Sequence, residues 1–187
     1  MKTVYFFIIL GILFGQTFAQ EALNKNASDS LYSPPLNIPL LLAGNFGELR
    51  SDHFHSGLDI KTKHQQGLKV FSIADGYISR IKISHWGYGK ALYVNHYNGT
   101  TSVYAHLQKF SPEIENFVQE KQYANKSFTI QLFPKKDSLK VNKEVPIAYS
   151  GNSGGSTAPH LHFEMRKTGT PIAINPLQFS YEVLDKT

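Results

Sequence analysis

The sequence predicts a mainly β protein, and three observations support this fold class. Six short segments are rich in β-branched and aromatic residues, and most of them alternate in polarity as strands do. Turn-forming pairs such as Asp75-Gly76 and Asn98-Gly99 separate these segments, and one segment alone has the features of a helix. The predicted strands cover residues 70–73, 77–84, 91–96, 101–106, 145–149 and 161–166.

The connections between these strands are assigned from turn and helix chemistry. Asn98-Gly99 predicts a tight hairpin, because both residues tolerate a positive φ angle. A short, peripheral helix is expected after Ser111, which is a suitable cap, with Pro112 in its first turn and its apolar residues on one face. Residues 121–143 are expected to form a basic surface insert that contains a strand at residues 128–133.

Composition excludes several classes of protein. The 187 residues suit one domain, and 41% apolar with 18% charged residues is too apolar for a disordered chain. The absence of cysteine excludes disulfide scaffolds, thiolate zinc fingers and cysteine nucleophiles, so any metal must be held by His and carboxylate groups. The net charge of +5 is scattered along the chain, and no nucleic-acid partner is expected.

The N-terminal residues predict export. Residues 1–19 have a positive start, an apolar stretch at residues 4–14 and small residues before Gln20, which is typical of a signal peptide. A membrane anchor needs about 20 apolar residues, so no stable anchor is expected after cleavage. We expect a periplasmic, extracellular or cell-wall associated protein, with a flexible leader at residues 20–37 that packs little and a folded domain at residues 38–187. The sequence leaves the oligomeric state open.

A metal site is predicted from two separate groups of residues. His160 and His162 alternate in a predicted strand, so both imidazoles project to one side. His55 and Asp59 are four residues apart, and Gly57 between them allows the backbone to bend so that both face one ion. A catalytic zinc ion typically has three protein ligands and one open position. His55, Asp59 and one member of the histidine pair supply three, and spacing alone does not decide which member.

Other residues receive more modest predictions. His106 closes a predicted strand on the same face as Tyr104, and beside a metal it is suited to orient water or stabilise an oxyanion. The small residues at 151–159 form a loop that lets an extended substrate approach the backbone. His53 is two residues before His55 and shares its face in an extended segment, which is compatible with contact to a substrate. The surface or hairpins are assigned to three other histidines, His64, His85 and His96. Packing is assigned to Trp86 and Tyr88.

The combined motifs resemble a known family. His55-x-Gly-x-Asp59 is followed by Tyr104-Ala105-His106-Leu107, then by residues 151–154 and by Ala158-Pro159-His160-Leu161-His162-Phe163. In order, spacing and flanking residues this set is similar to the lysostaphin/LytM-type zinc metallopeptidases, over about residues 43–176. One departure is the segment at residues 46–50, which has one residue more than the family's Phe-Gly-x-Arg pattern.

The resemblance implies a fold and a set of roles. The fold is a mainly antiparallel β-sheet domain with a substrate groove, the LytM-like peptidase fold or duplicated hybrid motif. The zinc ligands are His55, Asp59 and His162, and His106 and His160 are catalytic residues beside the open coordination position.

The implied function is that of a secreted zinc-dependent endopeptidase that hydrolyses peptide cross-links or stem peptides of bacterial peptidoglycan. One alternative is a peptidoglycan-binding activator of other cell-wall hydrolases that does not itself hydrolyse. A second alternative is a non-haem iron oxygenase, because two histidines and a carboxylate also form a facial triad. The exported N-terminus and the additional histidines argue against the oxygenase.

Overall fold

The computed structural model describes residues 31–179 and 181–184, so the predicted signal peptide and the first part of the predicted leader lie outside it. In this part of the chain the elements are β1 (Leu42–Gly44), β2 (Leu58–Lys61), β3 (Lys69–Phe71), β4 (Gly76–Ile83), β5 (Lys90–His96), β6 (Thr100–Ala105), β7 (Lys109–Phe110), α1 (Pro112–Asn125), β8 (Ile130–Leu132), β9 (Lys140–Val141), β10 (Pro146–Tyr149), β11 (His160–Lys167), β12 (Ala173–Ile174) and a 3-10 turn (Pro176–Phe179). All six predicted strands and the strand in the basic insert are present within a few residues of their predicted bounds.

The described strands form two antiparallel sheets. The larger sheet has the order β1-β2-β11-β6-β5-β4-β8, with β12 also beside β11 and β9 also beside β4. The smaller sheet has the order β3-β10-β7. Every strand pair in both sheets is antiparallel, which confirms the predicted mainly antiparallel β fold.

The main hydrophobic core lies between these sheets and fixes which side chains face away from it. Leu161, Phe163 and Met165 of β11 are fully buried in this core. Because successive strand residues point to opposite faces, His162 and Glu164 lie on the other face of the sheet. The candidate site is therefore built on the face of the large sheet that the core does not use.

The N-terminal boundary of the folded part lies earlier than predicted. Tyr32 and Leu36 are buried in the main core, although residues 20–37 were expected to pack little. The amide of Ser33 donates to Ile73 O at 2.9 Å, and Leu36 forms a bridge with Val70 of β3. The physical reason is that this extended segment pairs with an otherwise unpaired strand edge and buries two large apolar side chains.

The helix is longer than predicted. It has 14 residues and ends at Asn125. Residues 121–125, which were predicted to begin the basic surface insert, are therefore helical. Ser111 is the N-cap residue, but its side chain forms no cap hydrogen bond. The Glu115 carboxylate instead accepts a hydrogen bond from the amide of Phe110 at 2.8 Å. Ile114 is buried, as its place on the apolar face predicts.

One prediction about exposure was wrong, and one residue predicted at the surface or in a hairpin is buried in a hairpin. Trp86 was assigned to packing, but it is 81% exposed in the loop between β4 and β5. His96 was assigned to the surface or a hairpin, and it lies in the β5–β6 hairpin, where it is 4% exposed. Its Nδ1 donates to Asp75 O at 3.2 Å and its Nε2 lies 2.8 Å from Ser102 Oγ. These two partners, which come from other strands and turns, make burial of the ring possible.

The described residues include no helix that is both long and apolar enough to cross a membrane.

Candidate metal centre and groove

Two neighbouring strands bring the predicted metal ligands together. Asp59 of β2 lies directly opposite His162 of β11 in the antiparallel register, and both side chains face away from the core. His55 lies before β2, where its amide donates to Glu48 O and its carbonyl accepts from the amide of Gly47, both at 2.8 Å. This short turn folds His55 back over the end of β2, so residues 55, 59 and 162 converge.

The three side chains place one potential ligand atom each at a common point. Asp59 Oδ1 lies 3.1 Å from His55 Nε2 and 2.9 Å from His162 Nδ1, and the two ring nitrogens are 3.0 Å apart. Ligand atoms around a tetrahedral zinc ion are separated by about 3.3 Å, given the usual zinc–ligand distances. The observed spacing fits such an ion closely.

The hydrogen bonds of the outer ring nitrogens favour a cation at this point. His55 Nδ1 donates to Asn45 O at 2.7 Å, and His162 Nε2 donates to Glu164 Oε1 at 2.8 Å. In the neutral rings, the two inner nitrogens then carry lone pairs that face each other and the Asp59 carboxylate. Three such acceptors repel one another unless a cation or a proton lies between them.

Neighbouring groups determine the ionisation of Asp59 and His162 in this cluster. Burial raises the pKa of Asp59, but hydrogen bonds from His160, His162 and His55 outweigh burial and hold this pKa below its usual range. Burial lowers the pKa of His162, but its bonds to Asp59 and Glu164 raise it to about 8. Without a metal, His162 is therefore mostly protonated at neutral pH, and a metal ion competes with that proton.

Arg50 holds the second oxygen of Asp59. Its Nη2 donates to Asp59 Oδ2 at 2.9 Å and also lies 3.0 Å from Glu48 Oε2. A Cβ atom at Gly44 would lie 2.4 Å from this Nη2 and 2.6 Å from Asp59 Oδ2, so a larger residue there would displace the pair from this position. Arg50 ends the segment that has one additional residue, and this segment still delivers a basic group to the carboxylate.

His106 faces the groove through an unusual backbone. It follows the last residue of β6 with a φ angle of 58°, in the left-handed region that non-glycine residues rarely adopt. The prediction that it shares a face with Tyr104 was wrong, because this backbone turns His106 to the groove while Tyr104 stays in the core. Its Nδ1 donates to Ser153 O at 2.8 Å, so its Nε2 is free to face the site.

The His106 ring is predominantly neutral. Burial lowers the pKa of His106 to about 4, against a smaller opposing effect of the hydrogen bond to Ser153 O. At neutral pH its Nε2 is therefore an unprotonated base. The ring is 4.7 Å from that of His160 and 5.9 Å from that of His162, measured between centroids.

His160 lies at the mouth of the site. Its Nδ1 is 2.9 Å from Ala158 O and 3.1 Å from Ser156 Oγ, and its Nε2 is 3.4 Å from Asp59 Oδ1. The ring is 18% exposed, more than those of the two converging histidines. His160 is thus next to the cluster but more accessible to an incoming molecule.

Glu164 is the centre of a buried polar network behind His162. Its carboxylate accepts hydrogen bonds from Ser56 Oγ at 2.7 Å and from Arg166 Nε at 2.6 Å, and it is also bonded to the hydroxyl of Tyr88. Burial raises the pKa of Glu164, but the bond to His162 and the charge of Arg166 lower it to about 2. The carboxylate is ionised, and it fixes the tautomer of His162.

Sequence reasoning missed most of these supporting residues. Glu164 lies two residues after His162 on the same strand face, which was an available sequence pattern. Tyr88 was assigned to packing, and it does pack on the outer sheet face, but its hydroxyl also reaches Glu164. Asn45 and Ser153 bind the histidines through their backbone carbonyls. Because every residue has a backbone carbonyl, the sequence does not indicate that these two have this role.

The cluster lies in a groove of about 1000 Å³. The loop between β10 and β11 supplies one wall, and the segment after β2 supplies another. The lining residues are Pro39, Leu41, Ala43, Arg50, His53, His55, Asp59, Lys61, Lys63, His64, Gly87, Tyr88, His106, Gly155, Ser156, Thr157, Ala158, Pro159, His160, His162 and Leu184. All five predicted site residues are among them, and so are His53 and His64.

An antiparallel β domain with a His-Asp-His cluster on the floor of its groove has the architecture of a metal-dependent peptidase. Residues 53–131 and 121–174 match Peptidase family M23, and the chain belongs to this family. The membership confirms the predicted resemblance, and it leaves the oxygenase alternative without support.

Individual relatives agree with this assignment. The chain is 33% identical over 129 residues to the DD-carboxypeptidase/endopeptidase Mpg of Neisseria meningitidis, covering 69% of this chain and 23% of that protein. It is 31% identical over 113 residues to the murein hydrolase activator EnvC of Escherichia coli, covering 59% of this chain and 20% of that protein. The chain thus spans about a quarter or less of the length of these curated relatives.

The fold has solved counterparts. The catalytic domain of the antimicrobial peptidase lysostaphin from Staphylococcus simulans superposes with a TM-score of 0.53 at 21% identity, covering 83% of this chain and 96% of that domain. At this level of identity the likeness concerns the fold, and it agrees with the LytM-like fold expected from the motifs.

Proposed function

We propose that the protein is an exported, zinc-dependent endopeptidase that hydrolyses peptide cross-links or stem peptides of bacterial peptidoglycan. The observation that carries this proposal is the convergence of His55 Nε2, Asp59 Oδ1 and His162 Nδ1 within 3.1 Å of one another. These are the ligand types that zinc prefers, in the number that a catalytic site uses. Membership of the M23 family supports the hydrolytic chemistry.

The protein's own residues would hold the metal in a defined way. His55, Asp59 and His162 are the proposed zinc ligands, and Asn45, Arg50 and Glu164 fix their orientation. Zinc bound there supplies a Lewis acid that polarises an amide carbonyl and lowers the pKa of water toward about 7.

Two further histidines are placed to move protons. His106 presents a neutral Nε2 to the groove, and His160 places its Nε2 beside the cluster, with the two ring centroids 4.7 Å apart. We assign to this pair the removal of a proton from the attacking water, the stabilisation of the oxyanion and the donation of a proton to the leaving amine. The geometry is compatible with either order of these roles.

The substrate class is inferred from the groove and the relatives. An open groove of about 1000 Å³ accommodates an extended peptide. The name of Mpg describes a peptidase of the DD-carboxypeptidase/endopeptidase kind, which supports peptides of peptidoglycan as the substrate. Action on peptidoglycan requires export, in line with the N-terminal pattern of residues 1–19.

The alternative is an activator that binds peptidoglycan without cutting it. The relationship to EnvC, a murein hydrolase activator, is the observation that favours this alternative. The presence of all five proposed metal and catalytic residues favours the peptidase instead.

The test combines metal analysis with product identification. We expect the purified protein to contain about one zinc ion per chain, to reduce the turbidity of purified cell walls, and to lose this activity with a chelator. Mass spectrometry of fragments from defined muropeptides identifies the bond that is cut. Asp59→Asn should remove both zinc and activity, whereas Asp137→Asn, on a loop between β8 and β9, should retain both. Binding to cell walls by the zinc-loaded protein without any fragments would instead indicate the activator.

A further inference from the structure

Two lysines form part of the groove beside the proposed metal centre. Lys61 lies two residues after Asp59 in β2, so both side chains project from the same face of the sheet. It is also directly opposite His160 of β11 in the strand register. Lys61 and Lys63 both line the groove, and both are exposed to solvent.

A tight turn places Lys63 on the groove wall. Thr62 is fully buried, its Oγ1 donates to Gln65 O at 2.7 Å, and its carbonyl accepts from the amide of Gln65 at 2.9 Å. The two central residues, Lys63 and His64, have φ angles of 54° and 58°, in the left-handed region. Non-glycine residues are unfavourable there, and such backbone strain is concentrated at functional sites. Lys63 is thus held by a defined turn.

The groove has an excess of positive charge at this end. Asp59 is the single acidic residue among the described residues that line it, and Arg50 already pairs with that carboxylate. Within residues 31–179 and 181–184, neither Lys61 nor Lys63 forms an ion pair. Their ammonium groups are therefore available to a negatively charged ligand in the groove.

We propose that Lys61 and Lys63 bind a carboxylate of the substrate peptide and thereby select substrates that carry one near the scissile bond. This inference rests on the proposed peptidase function. Lys61 is about 7 Å along the strand from Asp59, and an extended peptide advances about 3.4 Å per residue. The carboxylate that is recognised lies within about three residues of the bond that is cut. It is either the C-terminal carboxylate or an acidic side chain of the peptide.

The experiment uses peptides that differ only in charge. A synthetic stem-peptide dimer with free carboxylates is compared with two versions, one amidated at the C-terminus and one amidated at its side-chain carboxylates. We expect the zinc-loaded protein to show a kcat/KM at least about tenfold higher for the free acid than for one amidated version, as charge-assisted hydrogen bonds predict. The version that loses activity identifies the carboxylate that is recognised.

Variants then assign the preference to the lysines. In the double variant that carries both Lys61→Gln and Lys63→Gln, the ratio of kcat/KM for the free acid to kcat/KM for the amide should fall to about one. Lys140→Gln, which removes the same charge from β9, should keep the wild-type ratio. Equal cleavage of acid and amide by the wild type would overturn the inference and leave the proposed function standing. If no peptide is cleaved, the proposed function fails, and equilibrium binding of the same peptides decides the inference: equal affinity for acid and amide overturns it.

Discussion

The two ring nitrogens of His162 face different partners, and Glu164 determines which nitrogen is available to a metal. The Glu164 carboxylate accepts the Nε2 proton at 2.8 Å, which leaves Nδ1 to face Asp59. A carboxylate behind a metal-binding imidazole also increases the basicity of the ring. We therefore expect Glu164→Gln to weaken zinc affinity about 10–100-fold, because the amide carries no charge and fixes the tautomer less strongly.

Competition with a chromophoric chelator measures this affinity. Glu120→Gln, at an exposed position of α1, serves as a control that should bind zinc like the wild type. Circular dichroism separates a local effect from unfolding, because loss of a buried partner of Arg166 also lowers stability. An unchanged zinc affinity in folded Glu164→Gln would show that this carboxylate does not tune the site.

Sequence reasoning identified the five converging side chains but not what orients them. His55 and Asp59 are close in the chain, and His160 and His162 are on one strand face, so local spacing reveals both pairs. The resemblance to a family, rather than spacing, selected His162 over His160. Ser153 contributes a backbone carbonyl, and its position depends on how two loops dock, which no local pattern contains.

The loop between β10 and β11 depends on one glycine, Gly154, that touches the loop between β4 and β5. Gly154 has a φ angle of 76°, and a Cβ atom there would lie 2.3 Å from the amide nitrogen of Gly89. The small residues of this segment were expected to let a substrate approach the backbone. The structure shows that they also let two loops approach each other, and this contact positions the Ser153 carbonyl under His106.

Gly154→Ala is expected to reduce both stability and activity. The new methyl group meets backbone atoms that cannot move easily, and the left-handed backbone adds a cost of about 1–2 kcal/mol for alanine. Thermal unfolding measures the first effect, and cell-wall turbidity measures the second.

Gly155→Ala is the matched control for stability. A Cβ atom at Gly155 would have its nearest contact at 3.4 Å, with Gly87 N, which is an ordinary van der Waals distance. The melting temperature should therefore fall much less than in Gly154→Ala. Equal losses in the two variants would show that the loop contact is not the cause.

All four long strands were predictable from local pattern, whereas several of the short strands were not. β4, β5, β6 and β11 have six to eight residues each, which is enough for alternation or β-branched runs to be visible. β3 and β8 have three residues each and were still predicted, because each lies in a longer segment rich in β-branched and aromatic residues. β1, β7, β9 and β12 have two or three residues and were not predicted, because they are too short for any period and form by pairing with a neighbouring strand. The packing of residues 32–36 along β3 is a similar tertiary effect, in a segment whose prolines favoured a leader.

The stability of the whole molecule should depend on the protonation of His96. Burial lowers the pKa of His96 to about 4, whereas the unfolded chain has a His pKa of about 6.5. Between these values the unfolded state binds more protons. The contribution of neutral His96 is therefore fully present above about pH 6.5 and is lost as the pH falls toward 4, on the order of 3 kcal/mol in total.

Urea unfolding of the metal-free protein between pH 4 and pH 7 measures this dependence. His96→Gln should be less stable at pH 7, but its free energy of unfolding should fall less steeply with acid than that of the wild type. The comparison isolates His96, because His106 titrates in the same direction in both proteins. Parallel pH profiles for the two proteins would contradict the assignment.

The inner nitrogens of His55 and His162 belong to residues separated by 107 positions in the chain. Closing so large a loop is slow, and the complete triad exists only after β2 and β11 have paired. We expect zinc to leave the refolding rate unchanged and to slow unfolding, by about 100-fold at a free concentration 100 times the dissociation constant. Stopped-flow circular dichroism measures both rates, and refolding that accelerates with zinc would show that the ion binds before the strands meet. If zinc instead leaves the refolding rate unchanged, the metal binds after the chain has folded, and it controls how long the native state survives.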